Sequence, residues 1–186
     1  MDRLPQLELQ RLYGTEALDT WRLVLRQFEL ADGFAFVVLT VPDRTAAELC
    51  RNDLQVFLGA RNTVLEPVIP TDPDNLAVLV STLLAMPDDQ TVGAIWVEAV
   101  ANEHASDYPA WHTAWGRALA SLNQQRNPLR RRPMPLLLVG APWLAQMVRQ
   151  HAPDLWSVRA LVGRIDPITQ DTSSTVPSEL NEIQRL

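Results

Sequence analysis

Two apolar runs end in residues that could do chemistry. Phe34-Ala35-Phe36-Val37-Val38-Leu39-Thr40-Val41 is followed, after Pro42 and Asp43, by Arg44 and Thr45, and Val92-Gly93-Ala94-Ile95-Trp96-Val97 is followed by Glu98. A cation and a hydroxyl just past a strand can hold phosphates and their magnesium ion. An acid ending a second strand can hold that ion or orient a water. Phosphate binding also needs glycines, whose backbone amides wrap the anion, and a lysine to reach its outer oxygens. Here the loop reads Val41-Pro42-Asp43-Arg44-Thr45, with neither. Pro42 lacks an amide donor, and Asp43 would repel a phosphate. All 16 basic residues are arginine, so lysine chemistry, including a Schiff base, is excluded within these residues. No catalytic residue is expected. Arg44, Thr45 and Glu98 would contact a cofactor only if the domain binds a nucleotide without hydrolysing it. The simpler reading of Glu98 is a solvated strand end.

Other constellations are weaker. Glu98, Glu103, His104, Asp107 and His112 contain the right atoms for a metal, but the spacing matches no helical ligand pair such as His-Glu-x-x-His. A polar loop and an exposed helix start explain them more simply, so no metal site is expected. There is no Gly-x-Ser-x-Gly elbow for a serine nucleophile. Arg126, Arg130, Arg131 and Arg132 cluster at the end of a long helical pattern, where cations favour the helix terminus. Cys50 reads as a small buried hydrophobe.

Composition narrows the class. The chain has 186 residues, enough for one domain with a core. Its net charge of −6 argues against general nucleic-acid binding, which needs a basic face to displace counterions. The single cysteine fits a reducing compartment, the first residues show no secretory signal, and no window is apolar enough to span a membrane. A cytoplasmic protein is expected.

The elements that must position Arg44 and Glu98 follow from periodicity. A helical pattern over residues 8–30 is interrupted at Tyr13-Gly14-Thr15, so two helices or one broken helix would fit. The strand at 34–41 follows. Thr45 and Glu48 have capping-box spacing for a helix running to about Leu58. Val64–Ile69 reads as a second strand, at an edge because of Pro67, and Leu76–Met86 as an apolar helix. The strand at 92–99 is followed by a helix from about Pro109 to Gln125, with Trp111, Trp115, Ala118, Leu119 and Leu122 as its buried stripe. Met134–Val139, Trp143–His151 and Val158–Val162 read as strand, helix and strand. This alternation predicts an α/β fold: three α/β/α layers around a five-stranded, mainly parallel sheet, P-loop NTPase-like in layout. The expected organisation is an N-terminal helical segment (1–32), an α/β core (33–166) and a tail or linker (167–186) with a weak helical pattern at Leu180, Ile183 and Leu186.

The C-terminal third carries a more specific signal. Leu122-Asn123-Gln124-Gln125-Arg126 precedes the strand Pro135-Leu136-Leu137-Leu138-Val139, and Ala152-Pro153-Asp154-Leu155-Trp156-Ser157-Val158-Arg159 comes after it. These residues resemble the inactive STAND-type, P-loop-like domain of bacterial tetratricopeptide-repeat and conflict-system proteins. The likeness is close from Val92 to Ile165 and elsewhere a matter of layout. No repeat array follows residue 166, unlike the usual context. The resemblance implies a non-catalytic regulatory module, without cofactor, that binds protein partners in a signalling or antiphage assembly. Read physically, the segment is structural: Pro153 ends a helix, Asp154 satisfies turn amides, Trp156 plugs the space beneath the last strand, and Arg159 pairs with Asp154 or another acid.

Overall fold

The computed structural model describes residues 3–87, 89, 91–100 and 106–168. The first helix, α1 (Leu4–Leu30), leads into β1 (Phe36–Thr40) and α2 (Arg44–Gly59). Next come β2 (Val64–Val68), a 3-10 turn (Pro73–Val78), α3 (Leu79–Ala85) and β3 (Val92–Ala99). The remainder is α4 (Tyr108–Gln124), α5 (Arg126–Arg130), β4 (Leu136–Gly140), α6 (Trp143–His151), α7 (Pro153–Ser157) and β5 (Leu161–Arg164). The five strands form one sheet in the order β2-β3-β4-β1-β5, and every pairing is parallel. The expected fold class is the one observed: an α/β fold in which helices cover a five-stranded sheet, with every strand parallel.

The central strands β1, β3 and β4 are largely apolar on both faces because each face meets helices. Side chains alternate across a strand. Phe36, Val38, Ile95, Val97, Leu136 and Leu138 therefore join a core with α3, α4, α6 and α7. Val37, Leu39, Trp96, Leu137 and Val139 join a second core with α1 and α2. Those two cores give the three layers. Pro67 sits in the edge strand β2, where a missing amide is tolerated.

The break in α1 is a reversal. Gly14 has φ 86° and ψ 176°, a region open essentially to glycine alone. Arg3 and Trp21 both donate to Asp53, yet an unbroken helix would hold them about 27 Å apart. Tyr13 meanwhile reaches Asp43, at the other end of α2. Residues 4–13 thus run antiparallel to α2, and the chain folds back at Gly14. Asp53 ties both arms to α2. It is 1% exposed and accepts from Arg3 Nη2 at 2.8 Å, Gln6 Nε2 at 3.0 Å and Trp21 Nε1 at 2.8 Å.

Four local expectations are corrected. First, α2 is capped by Asp43 rather than Thr45: its carboxylate accepts from Ala46 N at 2.9 Å. Second, the helix expected from Leu76 splits. Asp72 caps a 3-10 turn that starts at Pro73, and the α-helix begins only at Leu79. Third, β5 starts at Leu161 instead of Val158, because Pro153 opens the short helix α7, a first-turn position that suits its fixed φ. Fourth, the arginine cluster divides. Buried Arg132 donates to the carbonyls of Leu84 and Met86 at the end of α3, while Arg126 pairs with Asp154 at 3.3 Å.

The last pairing explains why Leu122–Arg126 and Ala152–Arg159 belong together. Asn123 Oδ1 accepts from the backbone amides of Asp154 and Leu155, at 2.9 and 3.2 Å. It thereby caps the first turn of α7 from a distant helix. Arg159 does not pair with Asp154: its guanidinium lies 3.9 Å from the Trp156 ring centroid. Trp156 is half-buried at the core's margin, rather than a plug beneath β5. The expected helical turn at Leu180, Ile183 and Leu186 lies outside the described residues.

Cys50 is fully buried in the second core. Burial and the nearby Asp53 charge push its thiol well above the ordinary value of 9.0. The folded state therefore keeps the proton while an unfolded thiol would lose it. This contribution to stability is complete below pH 9 and declines as pH rises beyond it, by up to about 1.4 kcal/mol per pH unit. Urea unfolding from pH 7 to 10.5 should show the decline, and Cys50→Ala should flatten it. An identical slope in the variant would refute the assignment.

Candidate functional site

Residues just past β2, the end of β3, one face of α2 and the start of α4 line a cavity of about 540 Å³. In open parallel sheets this carboxyl end is where ligands bind. Arg44, Glu48 and Arg51 line it from α2. Their i, i+4, i+7 spacing puts them on one helix face. Ile69, Pro70 and Thr71 close one side, and Asp107 and Trp111 of the α4 start close another. The Trp111 indole donates to Asp107 at 2.9 Å, so this end of the expected apolar stripe is only half-buried.

Glu98 enters from β3. It follows Trp96 by two residues, so both face α2. The expectation of a solvated strand end is wrong: the Glu98 side chain is 5% exposed. Its Oε2 accepts from Arg51 Nη1 at 2.7 Å and from Trp96 Nε1 at 3.0 Å. A buried carboxylate is tolerated only when paired and hydrogen-bonded, and Arg51 supplies the charge. Arg44 lines the same cavity and is exposed. Thr45 does not line it. It lies beside Tyr13, on the α1 side of the helix. Of the three residues named from sequence, the fold brings two together.

At the start of α2, where helix amides favour an anion, Asp43 already provides one. Its Oδ1 accepts from Ala46 N at 2.9 Å and from the Tyr13 hydroxyl at 2.7 Å. Burial, together with the Asp43 hydrogen bond and charge, raises the Tyr13 hydroxyl far above its usual value, so it remains a donor. Among the described residues no three His, Cys, Asp or Glu side chains come together as metal ligands. Glu103 and His104 lie outside the described residues, and His112 packs with Tyr108 and Trp143. Sequence reasoning missed Glu48, Arg51 and Tyr13. The helical spacing of Arg44, Glu48 and Arg51 was a usable signal for the first two. Nothing local points from Tyr13 to Asp43.

No family model matches the chain, and no curated protein matches it in sequence. Among solved structures it is similar to the Aeropyrum pernix ORC2 protein, in its ADPNP–ADP complexes, with a TM-score of 0.49 and 11% identity over 83% of this chain and 48% of that one. It is also similar to the Aeropyrum pernix ORC1 protein in complex with DNA, with a TM-score of 0.47 and 10% identity over 81% of this chain and 45% of that one. The chain spans about half the length of each. No described helix is long and apolar enough to cross a membrane.

Proposed function

We propose that this domain is a non-catalytic, degenerate P-loop-like module that acts by binding a protein partner, as the STAND-type resemblance implies for bacterial cytosolic signalling and defence assemblies. The observation that carries this reading is the pair of intramolecular substitutes at the would-be nucleotide site. Asp43 takes the anion position at the α2 N-terminus. Arg51 occupies the carboxylate that would otherwise serve a magnesium ion or a water. A nucleotide would have to displace one charge and break a buried pair. Calorimetric titration with Mg-ATP and Mg-GTP is expected to give no binding in the micromolar range. Micromolar binding abolished by Arg44→Ala would overturn the reading.

One observation favours a second reading, a switch that binds nucleotide without hydrolysing it. Arg44 has no partner among the described residues, and it shares the 540 Å³ cavity with Glu98. That reading requires melting temperature to rise with nucleotide concentration. A flat thermal-shift profile would remove it.

A further inference from the structure

Charge is divided unevenly along the chain. Residues 1–105 hold seven arginines and 16 acids, whereas residues 106–168 hold eight arginines and three acids. The C-terminal segment is therefore locally basic within an acidic chain. Part of that positive charge gathers around α7. Arg149 projects from α6, exposed and without an ion pair among the described residues. It lines a groove of about 660 Å³ with Gln146, Gln150 and Trp156. The Arg159 guanidinium carbon sits over the Trp156 ring, 3.9 Å from its centroid, and Nη1 donates to the Trp156 carbonyl. Stacking and that hydrogen bond order a side chain that would otherwise lose much rotamer entropy on binding.

We propose that this face, centred on Arg149, Trp156 and Arg159, docks an acidic segment of the protein partner. The inference rests on the reading of the domain as a protein-binding module and names the chemistry of what it binds. A planar guanidinium held in place matches a carboxylate with two parallel hydrogen bonds. Gln146 and Gln150 add neutral donors and acceptors along the groove. A nucleic acid fits less well. Arg159 already occupies a face of Trp156 that a base would need for stacking. The chain's net charge of −6 also opposes an extended polyanion, whereas a short acidic segment meets mainly the local field.

The test is fluorescence anisotropy of a fluorescein-labelled deca-glutamate peptide titrated with the full chain at low salt. Each of Arg149→Glu and Arg159→Glu is expected to weaken binding about tenfold, the scale of losing one charge-assisted contact. Arg159→Lys should also weaken it, because lysine keeps the charge but loses the stacked fork. Arg26→Glu makes the same charge change at an exposed position of α1, on the opposite layer, and should leave binding unchanged. The proposal fails if the wild-type chain does not bind the peptide. It fails equally if Arg26→Glu weakens binding as much as Arg149→Glu, or if a ten-nucleotide oligo-dT binds more tightly than the peptide. Nucleotide titration reads the cavity lined by Arg44, Glu48 and Arg51, which shares no lining residue with this groove. A nucleotide result against the first reading is therefore distinguishable from a peptide result against this one.

Discussion

Replacing Asp53 with alanine should lower the unfolding free energy by about 3–5 kcal/mol, the cost of breaking a buried ion pair from one side. That is a large share of the roughly 5–15 kcal/mol typical of a domain. Asp53 is 1% exposed and is the acceptor for three side chains. Without it, Gln6 and the Trp21 indole keep buried donors with nothing to receive them, and each unsatisfied group costs about 1–3 kcal/mol. Arg3 contributes less, because at 29% exposure it can turn to water. Asp53→Asn should cost less than alanine, since the amide oxygen still accepts one donor. Urea unfolding followed by tryptophan fluorescence measures both variants. A loss below about 1 kcal/mol for Asp53→Ala would mean that the two arms of α1 are held by apolar packing instead.

The second large effect is expected at Gly14. A valine there must adopt φ 86° and ψ 176°, at a cost of about 1–3 kcal/mol for a non-glycine residue and towards the upper end for a β-branched one. The strain can be relieved only by straightening α1, and straightening pulls residues 4–13 off α2. Hydrogen exchange should then show lost protection in residues 4–13, with β1 and β4 unchanged. Gly59→Ala is the control. Its backbone is ordinary, and an added Cβ meets nothing within 4 Å, so stability should hold or rise by about 0.4–1 kcal/mol. Equal protection of residues 4–13 in Gly14→Val and wild type would overturn the hairpin reading.

These two residues also show where sequence reasoning stops. The interruption at Gly14 was legible, because glycine between two helical patterns marks a break. Whether the break is a kink or a reversal was not. The answer depends on what the arm can bury, and Asp53 decides it from 39 residues further on. Asp53 itself looks like one more polar residue of an amphipathic helix. The capping of α2 went astray for a related reason. Asp43 and Thr45 are both acceptable caps, and the choice depends on where the chain leaves β1. The start of β5 was misplaced because Asn123 caps α7 from 31 residues away, which turns an apparent loop into a helical turn.

What the sequence by itself determined is what repeats or what is missing. Apolar runs of strand length alternating with helical stripes require a parallel sheet with both faces covered, because no other arrangement buries them. The absence of lysine, and Pro42-Asp43 where a phosphate loop would carry glycines, are likewise legible without any coordinates. What only the tertiary structure decided is how charges are paired. Glu98 passes from a solvated strand end to a buried carboxylate because parallel packing sets Arg51 of α2 against it, 47 residues away. Periodicity records which face of an element is buried. It does not record which polar group on the neighbouring element will stand opposite, and the strength of a buried charge depends on that neighbour.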